Sequence, residues 1–168
     1  WRYISTYIDP FEPNIADVLS TVVSNITIVK NATGQTYWPL YNINTIGNMQ
    51  IGRAYQMYST ASHELVVAGL AVQPENTPIS LPAGWSYLGY LRQSPAPVDA
   101  MMSSISTYIN IMKNSLGQTY WPLFGINTIG NMNPGEGYQV SMSSQHNYTY
   151  PANSSSFQTA ALNIADPA

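Results

Sequence analysis

The sequence feature that most constrains this chain is a 25-residue segment that occurs twice. Aligning 25–49 with 108–132 gives 18 identities over the 25 positions, at an offset of 83 residues. Both copies contain Gly-Gln-Thr-Tyr-Trp-Pro-Leu, and both end in Ile-Gly-Asn-Met. Self-similarity at a fixed period indicates that a chain is built from copies of one structural unit. The sequence therefore predicts two similar units, and any function must tolerate being present twice.

The repetition extends beyond this segment on both sides. Trp1-Arg-Tyr-Ile corresponds to Trp85-Ser-Tyr-Leu, and Tyr55-Gln-Met corresponds to Tyr138-Gln-Val. We predict repeat unit 1 at 1–70 and repeat unit 2 at 85–152. The residues between them, 71–84, include prolines at positions 74, 78 and 82. Because proline disfavours helix and stiffens an extended chain, we expect this segment to be an extended linker.

The C-terminal residues, 153–168, lie outside both predicted units. Ala160, Leu162 and Ile164 alternate with other residues as they would in a strand. We expect this segment to be a second tether. The alternative is an edge strand given to a neighbouring module, in which case these three residues form a subunit contact.

The composition argues against several classes of partner. Charged residues make up 8% of the chain, against about 25% in an ordinary soluble domain. The net charge is −3, with only five Lys and Arg residues, so neither nucleic acid nor an anionic membrane surface is an expected partner. Cysteine is absent, which excludes disulfides and thiolate metal sites. No apolar run reaches the roughly 20 residues that span a membrane.

The composition also bears on location. Amide and hydroxyl side chains take the place of the missing charges, as is common in secreted proteins. The chain starts at Trp1 without a signal sequence, so we expect it to be a segment of a longer protein. We expect an extracellular or cell-surface location, as a compositional judgement.

Each unit carries the pattern of one short amphipathic helix. Apolar residues recur at helical spacing after Asn14, a predicted N-cap, and again after Pro97. These residues are Ile15, Val18, Leu19 and Val22 in the first unit, and Val98, Met101, Met102 and Ile105 in the second. With about two to three turns, each helix requires tertiary packing to persist.

The remaining elements are predicted to be short strands and turns. Strands are expected at 26–30 and 109–113, and hairpin loops ending at Gly34 and Gly117 lead into return strands that stop at proline. The run 43–49 predicts a short helical turn, Pro134-Gly135 a type II turn, and 65–67 and 148–150 the last strands. The predicted fold class is α+β and β-rich, with two tandem small open β-barrels of about five strands and one short helix each.

Several of these motifs resemble a known kind of module. Gly84-Trp85-Ser-Tyr-Leu-Gly-Tyr, Ile-Met-Lys-Asn-Ser-Leu-Gly, Ile-Gly-Asn-Met and Pro134-Gly-Glu-Gly-Tyr-Gln-Val are similar to the repeats of large secreted and cell-surface proteins of Bacteroidetes. The first unit departs from that pattern with Gln50-Ile-Gly-Arg-Ala-Tyr, which lacks the proline and the second glycine. The resemblance implies modularity and a type IX secretion context, and it supplies no catalytic residues.

No recurring set of residues predicts catalysis. His63 and His146 are expected in surface loops, and Glu64 beside the first corresponds to Asn147 beside the second. The carboxylates do not recur, since Asp17 aligns with Ala100 and Arg53 with Glu136. A glycosidase needs two carboxyl groups at a fixed separation, and no metal-ligand spacing is present. We therefore expect no enzyme activity, no cofactor and no metal.

What does recur is a group of aromatic and amide side chains that suits contact with sugars. Aromatic rings stack on sugar faces and amides bond hydroxyl groups without net charge. The candidate glycan contacts are Gln35, Tyr37, Trp38 and Asn44, with Gln118, Tyr120, Trp121 and Asn127 in the second unit. Neighbouring residues of a strand point to opposite faces, so one ring of each Tyr-Trp pair is expected in the core. Trp1 and Trp85 are expected to pack under the helices.

These observations favour a non-catalytic extracellular module. We expect a structural or adhesive building block of a cell-surface protein, such as a fibre or sheath subunit, whose partners are neighbouring modules or copies of itself. The alternative is a carbohydrate-binding module attached to a secreted polysaccharide-degrading enzyme, with surface glycans as partners.

Overall fold

The computed structural model describes residues 1–62 and 64–153, and this part of the chain is β-rich, with few short helices and open sheets. Sixteen short strands form two five-stranded sheets and three two-stranded pairs. In chain order the strands are β1 (Arg2–Ile4), β2 (Ile8–Pro10), β3 (Ile26–Lys30), β4 (Thr36–Trp38), β5 (Ile43–Asn44), β6 (Tyr55–Ser59), β7 (Gly69–Ala71), β8 (Ile79–Leu81), β9 (Gly84–Gly89), β10 (Ala96–Pro97), β11 (Ile109–Lys113), β12 (Thr119–Trp121), β13 (Ile126–Asn127), β14 (Asn131–Met132), β15 (Gly137–Met142) and β16 (His146–Tyr148).

The two five-stranded sheets have the same topology. The first runs β1-β6-β3-β4-β5, and the second runs β9-β15-β11-β12-β13, with each strand replaced by its sequence equivalent. All neighbouring strands are antiparallel, and the registers match, with Val29 opposite Tyr37 and Met112 opposite Tyr120. Even the register irregularity recurs, at Ile26 and at Ile109. The repetition seen in the sequence is thus repeated in strand order and register.

The predicted amphipathic helices are confirmed. They are α1 (Ile15–Val18) and α2 (Val98–Met102), each followed by a 3₁₀ helix, at Ser20–Asn25 and Ser103–Tyr108. The Asn14 side chain caps α1 by accepting a hydrogen bond from the Ala16 N–H at 3.0 Å. All eight residues of the predicted apolar stripes are buried.

The predicted hairpins are also present in both sheets. The turn between β3 and β4 places Gly34 at φ +85°, and the turn between β11 and β12 places Gly117 at φ +78°, where other residues are strained. The strands β4 and β12 end immediately before proline, as expected. The type II turn at Pro134-Gly135 is confirmed, with Gly135 at φ +81° and the Glu136 N–H 3.2 Å from the Asn133 carbonyl oxygen.

The prediction of a helical turn at 43–49 was wrong. Residues Ile43–Asn44 form β5, and the equivalent residues form β13. The short helical turn lies earlier, at Pro39–Tyr41 and Pro122–Phe124, because proline is favoured in the first turn of a helix. A residue in the left-handed conformation then ends each turn and returns the chain to the sheet.

The last strand of the first unit was also misplaced. Residues 65–67 are not a strand; the strand nearby is β7, which pairs with β2. In the second half β16 does form, because β8 pairs with it in antiparallel register, Ile79 opposite Tyr148. The strand therefore forms where a partner strand lies beside it.

Trp1 and Trp85 do not pack under the helices, contrary to prediction. They are 54% and 52% exposed. Each ring lies near a lysine, with Lys30 Nζ 5.3 Å from the Trp1 ring centroid and Lys113 Nζ 5.6 Å from that of Trp85. These are cation–π contacts at the surface.

The segment 71–84 contains more structure than an extended linker. It holds a 3₁₀ turn at Pro74–Asn76 and the strand β8. Ile79 and Leu81 of β8 are buried in the same cluster as the core of the second sheet. The division of the chain into 1–70, 71–84, 85–152 and 153–168 stays a prediction, but the segment packs as part of the second half.

The two halves meet through equivalent residues. The Ser5 N–H donates to the Gly135 carbonyl at 2.9 Å, and the equivalent Gly89 N–H donates to the Gly52 carbonyl at 2.9 Å. Tyr3 and its equivalent, Tyr87, lie against each other in an edge-to-face contact with ring centroids 5.0 Å apart. The halves are therefore related by an approximate two-fold axis that passes near this tyrosine pair.

Candidate binding surfaces

Each half exposes a group of apolar side chains at the turn that follows the repeated Tyr-Trp-Pro. We call these groups the tip surfaces; they consist of Trp38, Leu40, Tyr41 and Ile43 in the first half, and of Trp121, Leu123, Phe124 and Ile126 in the second. Leu40 and Leu123 are each 81% exposed. An apolar surface that recurs at matching positions is a candidate contact site.

The 3₁₀ turn gives each tip surface an aromatic pair. It brings Tyr41 back against Trp38, with ring centroids 4.7 Å apart, and Phe124 against Trp121, 4.6 Å apart. Both pairs are edge-to-face, which is a favourable geometry for aromatic rings. A depression of about 560 Å³ lies beside the second pair, and Ile109, Ile111 and Trp121 are among its lining residues. The sequence reasoning had missed Tyr41 and Phe124, which follow the tryptophans by three residues.

The tyrosines of the repeated Tyr-Trp pairs are part of the cores. Tyr37 and Tyr120 are buried, whereas Trp38 and Trp121 face the other side of the sheet. Burial raises the pKa of both phenols, with a smaller contribution from Asp17 and Asp99 respectively. The prediction that only one ring of each pair reaches the surface is confirmed.

The amides proposed as sugar ligands are engaged within their own loops. Gln35 Oε1 accepts a hydrogen bond from Asn31 Nδ2 at 2.6 Å, and Gln118 Oε1 accepts one from Asn114 Nδ2 at 2.7 Å. Asn44 Oδ1 accepts from the Gly47 N–H at 2.9 Å, and Asn127 does the same for Gly130 at 3.0 Å. Each of these amides braces a turn. Gln35, Asn44 and Asn127 are nevertheless exposed, as is Trp121, whereas Trp38 is only partly exposed. Contact with a glycan stays a prediction.

A groove of about 770 Å³ lies in the first half, and we call it the acceptor groove. Its floor contains residues of the first core, and one wall is the unpaired segment 64–67. The lining residues that matter below are Thr6, Glu64, Leu65, Val67 and, from the second half, Gly135. This groove was not predicted from the sequence. The signal for it was that the aligned residues of the second half are larger.

Two titratable side chains, His146 and Glu136, have defined neighbours. His146 lies in β16 and stacks on Tyr108, with ring centroids 3.6 Å apart, and not in the surface loop that was predicted. Glu136 Oε2 accepts hydrogen bonds from the Tyr138 hydroxyl and Asn133 Nδ2, at 2.9 and 3.0 Å. Among residues 1–62 and 64–153, no group of three His, Cys, Asp or Glu side chains is placed to hold a metal ion.

Two of the predicted features fall outside the described residues. They are His63 and the strand-like tail with Ala160, Leu162 and Ile164. Within the described chain, no helix has both the length and the apolar character needed to cross a membrane.

No protein-family model matches this chain, and no curated protein or solved structure gives a significant match. Functional inference therefore rests on the geometry of the chain itself.

Proposed function

We propose that the protein is a non-catalytic, extracellular building block of a cell-surface protein, formed by two tandem copies of a small open barrel. In this role the chain supplies a rigid spacer or adhesive unit of a fibre or sheath. Its partners are neighbouring modules or further copies of itself.

The observation that carries this proposal is the reciprocal packing of the two halves. Backbone groups of equivalent residues bond across the contact, at Ser5–Gly135 and Gly89–Gly52. Backbone contacts of this kind fix the relative position of the two halves without depending on charged side chains. What the halves share is therefore architecture, whereas the carboxylates, such as Asp17 and Glu136, are not duplicated. A duplicated architecture without a duplicated site favours a structural role.

Two further features support the proposed structural role. The surface is poor in charge, and the Gly-Trp and Pro-Gly-Glu-Gly-Tyr motifs resemble surface repeats of Bacteroidetes. Neutral surfaces pack against each other with little electrostatic repulsion.

The proposal is tested by locating the protein in its native cells. Antibodies against the purified chain, used in cell fractionation and immunogold electron microscopy, are expected to label extracellular or surface assemblies. Labelling confined to the cell interior would overturn the proposal. The same antibodies pre-absorbed with purified protein provide the control for specificity.

A second candidate function is glycan binding, favoured by the exposed aromatic pairs of the tip surfaces. Trp121 and Phe124 border the depression of about 560 Å³, and aromatic rings at a neutral surface suit stacking on sugars. If this is the function, the protein is retained on an insoluble polysaccharide, and Trp38→Ala with Trp121→Ala abolishes retention. Trp1→Ala with Trp85→Ala is the matched control, since those two rings are exposed elsewhere and are expected to leave retention unchanged.

A further inference from the structure

The acceptor groove exists because the two halves differ at three equivalent positions. In the second half Tyr90, Tyr148 and Tyr150 are completely buried. The residues that align with them in the first half are Thr6, Leu65 and Val67, which are smaller and line the groove. Loss of three phenol rings from an otherwise similar framework leaves space that closely packed interiors do not tolerate without an occupant.

A strand also covers this place in the second half. The strand β8 pairs with β16 and buries Ile79 and Leu81. Ile79 lies directly over Gly52, where an added Cβ would be 2.6 Å from Ile79 Cγ1. The residue equivalent to Gly52 is Gly135, which lines the acceptor groove and has nothing within 4 Å of its Cβ position. The groove is therefore the counterpart of the β8 site, and among the described residues no strand pairs with 64–67.

The sequence of the tail repeats the residue pattern of β8. Counting the repeat offset of 83 from Ile79-Ser80-Leu81 leads to Leu162-Asn163-Ile164, which has the same apolar-polar-apolar pattern. In the first half, β8 follows Val67 by 12 residues and then packs on the next half. Leu162 follows Tyr150 by the same 12 residues. The tail therefore carries the residue pattern of β8 at the same distance from the second half as β8 has from the first.

We propose that Leu162–Ile164 of a second copy of this chain inserts into the acceptor groove and pairs antiparallel with residues 64–65, as β8 pairs with β16. The register of β8 and β16 places Leu162 opposite Leu65, and Asn163 opposite Glu64. The strand adds main-chain hydrogen bonds to an unpaired edge, and its alternate side chains enter the groove. Because the donor and the groove are different surfaces, the contact does not close on itself and repeats into a linear assembly.

This inference deepens the proposed function by naming the contact between building blocks. Its failure is distinguishable from failure of that function, because surface labelling tests location and the experiments below test one contact in purified protein.

The first experiment measures self-association of the full chain by sedimentation equilibrium over a wide range of concentration. Wild-type protein is expected to form a concentration-dependent series of oligomers. Leu162→Asp with Ile164→Asp is expected to remain monomeric, because burying two carboxylates against Leu19, Leu65 and Val67 of the groove carries a large desolvation cost. Asn163→Ser is the matched control; its equivalent in β8 is Ser80, which is exposed, so this variant should associate as wild type does. A monomeric wild type, or equal association of all three proteins, overturns the inference.

The second experiment locates the contact by disulfide cross-linking. The chain has no cysteine, so Glu64→Cys with Asn163→Cys gives two defined thiols. Mild oxidation is expected to produce a ladder of covalent oligomers on non-reducing gels. Thr33→Cys with Asn163→Cys should give no ladder, since Thr33 lies in the β3–β4 loop. Cross-linking within one chain, seen as a faster-moving monomer, would overturn the assignment to a second copy, as would equal ladders from both variants.

Discussion

The two halves of this protein share a backbone framework but fill it differently. The second half buries a cluster of tyrosines whose hydroxyls all find acceptors: Tyr90 donates to the Ser94 carbonyl at 2.8 Å, Tyr148 to Met101 at 2.7 Å and Tyr150 to Gly89 at 3.0 Å. The first half has threonine, leucine and valine at the equivalent positions, and a groove where the cluster would be.

This difference shows that the strand framework and the side chains that fill the core are specified separately. The strand order and register of the five-stranded sheets, the helices and the hairpins are the same in both halves. The side chains that close the core depend on whether another strand covers it. A repeat can therefore keep its framework while one copy is closed and the other is open to a partner.

The largest expected effect separates the halves by pH. Burial raises the pKa values of Tyr90, Tyr148 and Tyr150, which have no tyrosine counterparts in the first half, above the usual value of about 10. Their stabilising contribution is complete below pH of about 10, where folded and unfolded tyrosines are both neutral, and it falls as the pH rises from there towards the folded pKa values. We expect loss of the second core at alkaline pH before the first. Methyl NMR signals of Met102 and Leu19 report the two cores separately, and simultaneous loss at every pH would contradict the expectation.

The next effect is a difference between equivalent core substitutions. Tyr150→Ala removes a buried ring and is expected to cost about 3–5 kcal/mol of unfolding free energy. The equivalent Val67→Ala, at the edge of the groove, should cost about 1 kcal/mol, since it removes two partly exposed methyl groups. Urea unfolding measures both. Equal losses would mean that the groove wall is packed as tightly as the second core.

A smaller effect is expected at the two-fold axis between the halves. Ala54 and its equivalent, Gly137, face each other so closely that a Cβ on Gly137 would clash with the Ala54 methyl group. Gly137→Ala is therefore expected to destabilise the protein by about 1–3 kcal/mol through overpacking. Adding Ala54→Gly should recover most of that loss, a coupling that a double-mutant cycle in urea measures. If the free-energy changes of the two substitutions simply add, contact with Ala54 is not the reason that Gly137→Ala destabilises the protein.

The smallest effect should be the same in both halves, because the β-hairpin loops are alike. Asn31 Oδ1 accepts hydrogen bonds from the N–H groups of Thr33 and Gln35, and Asn114 Oδ1 accepts the same pair from Leu116 and Gln118. Asn31→Ala and Asn114→Ala are each expected to cost about 1 kcal/mol. Thermal unfolding of the two variants measures both losses of stability. Clearly unequal losses would show that the two loops have different surroundings.

Much of the fold could be predicted from local signals. The stripe that includes Ile15 and Val98 identifies the helices, and Gly34 and Pro39 mark the ends of a loop and a strand. The local pattern failed where a distant segment decides the outcome. Residues 65–67 look like a strand but have no partner, and Ile43 follows a helical spacing yet pairs with Trp38.

The candidate sites were less predictable for the same reason. The aromatic pairs depend on a 3₁₀ turn that folds Tyr41 back on Trp38, and the groove depends on which strand covers the core. Trp1 and Trp85 were misassigned because a large ring was expected inside, whereas a lysine beside each one makes the surface an acceptable place.

The pairing of Ala54 with Gly137 has a consequence for how this sequence can change. Residues that meet at the axis are equivalent residues of the two halves, so the same substitution made in both halves changes both sides of one contact. The contact between Ala54 and Gly137 has room for one methyl group. Making the two halves identical at this position would leave either a crowded or an underfilled contact, so we expect two unequal copies to fit this contact better than a perfect repeat.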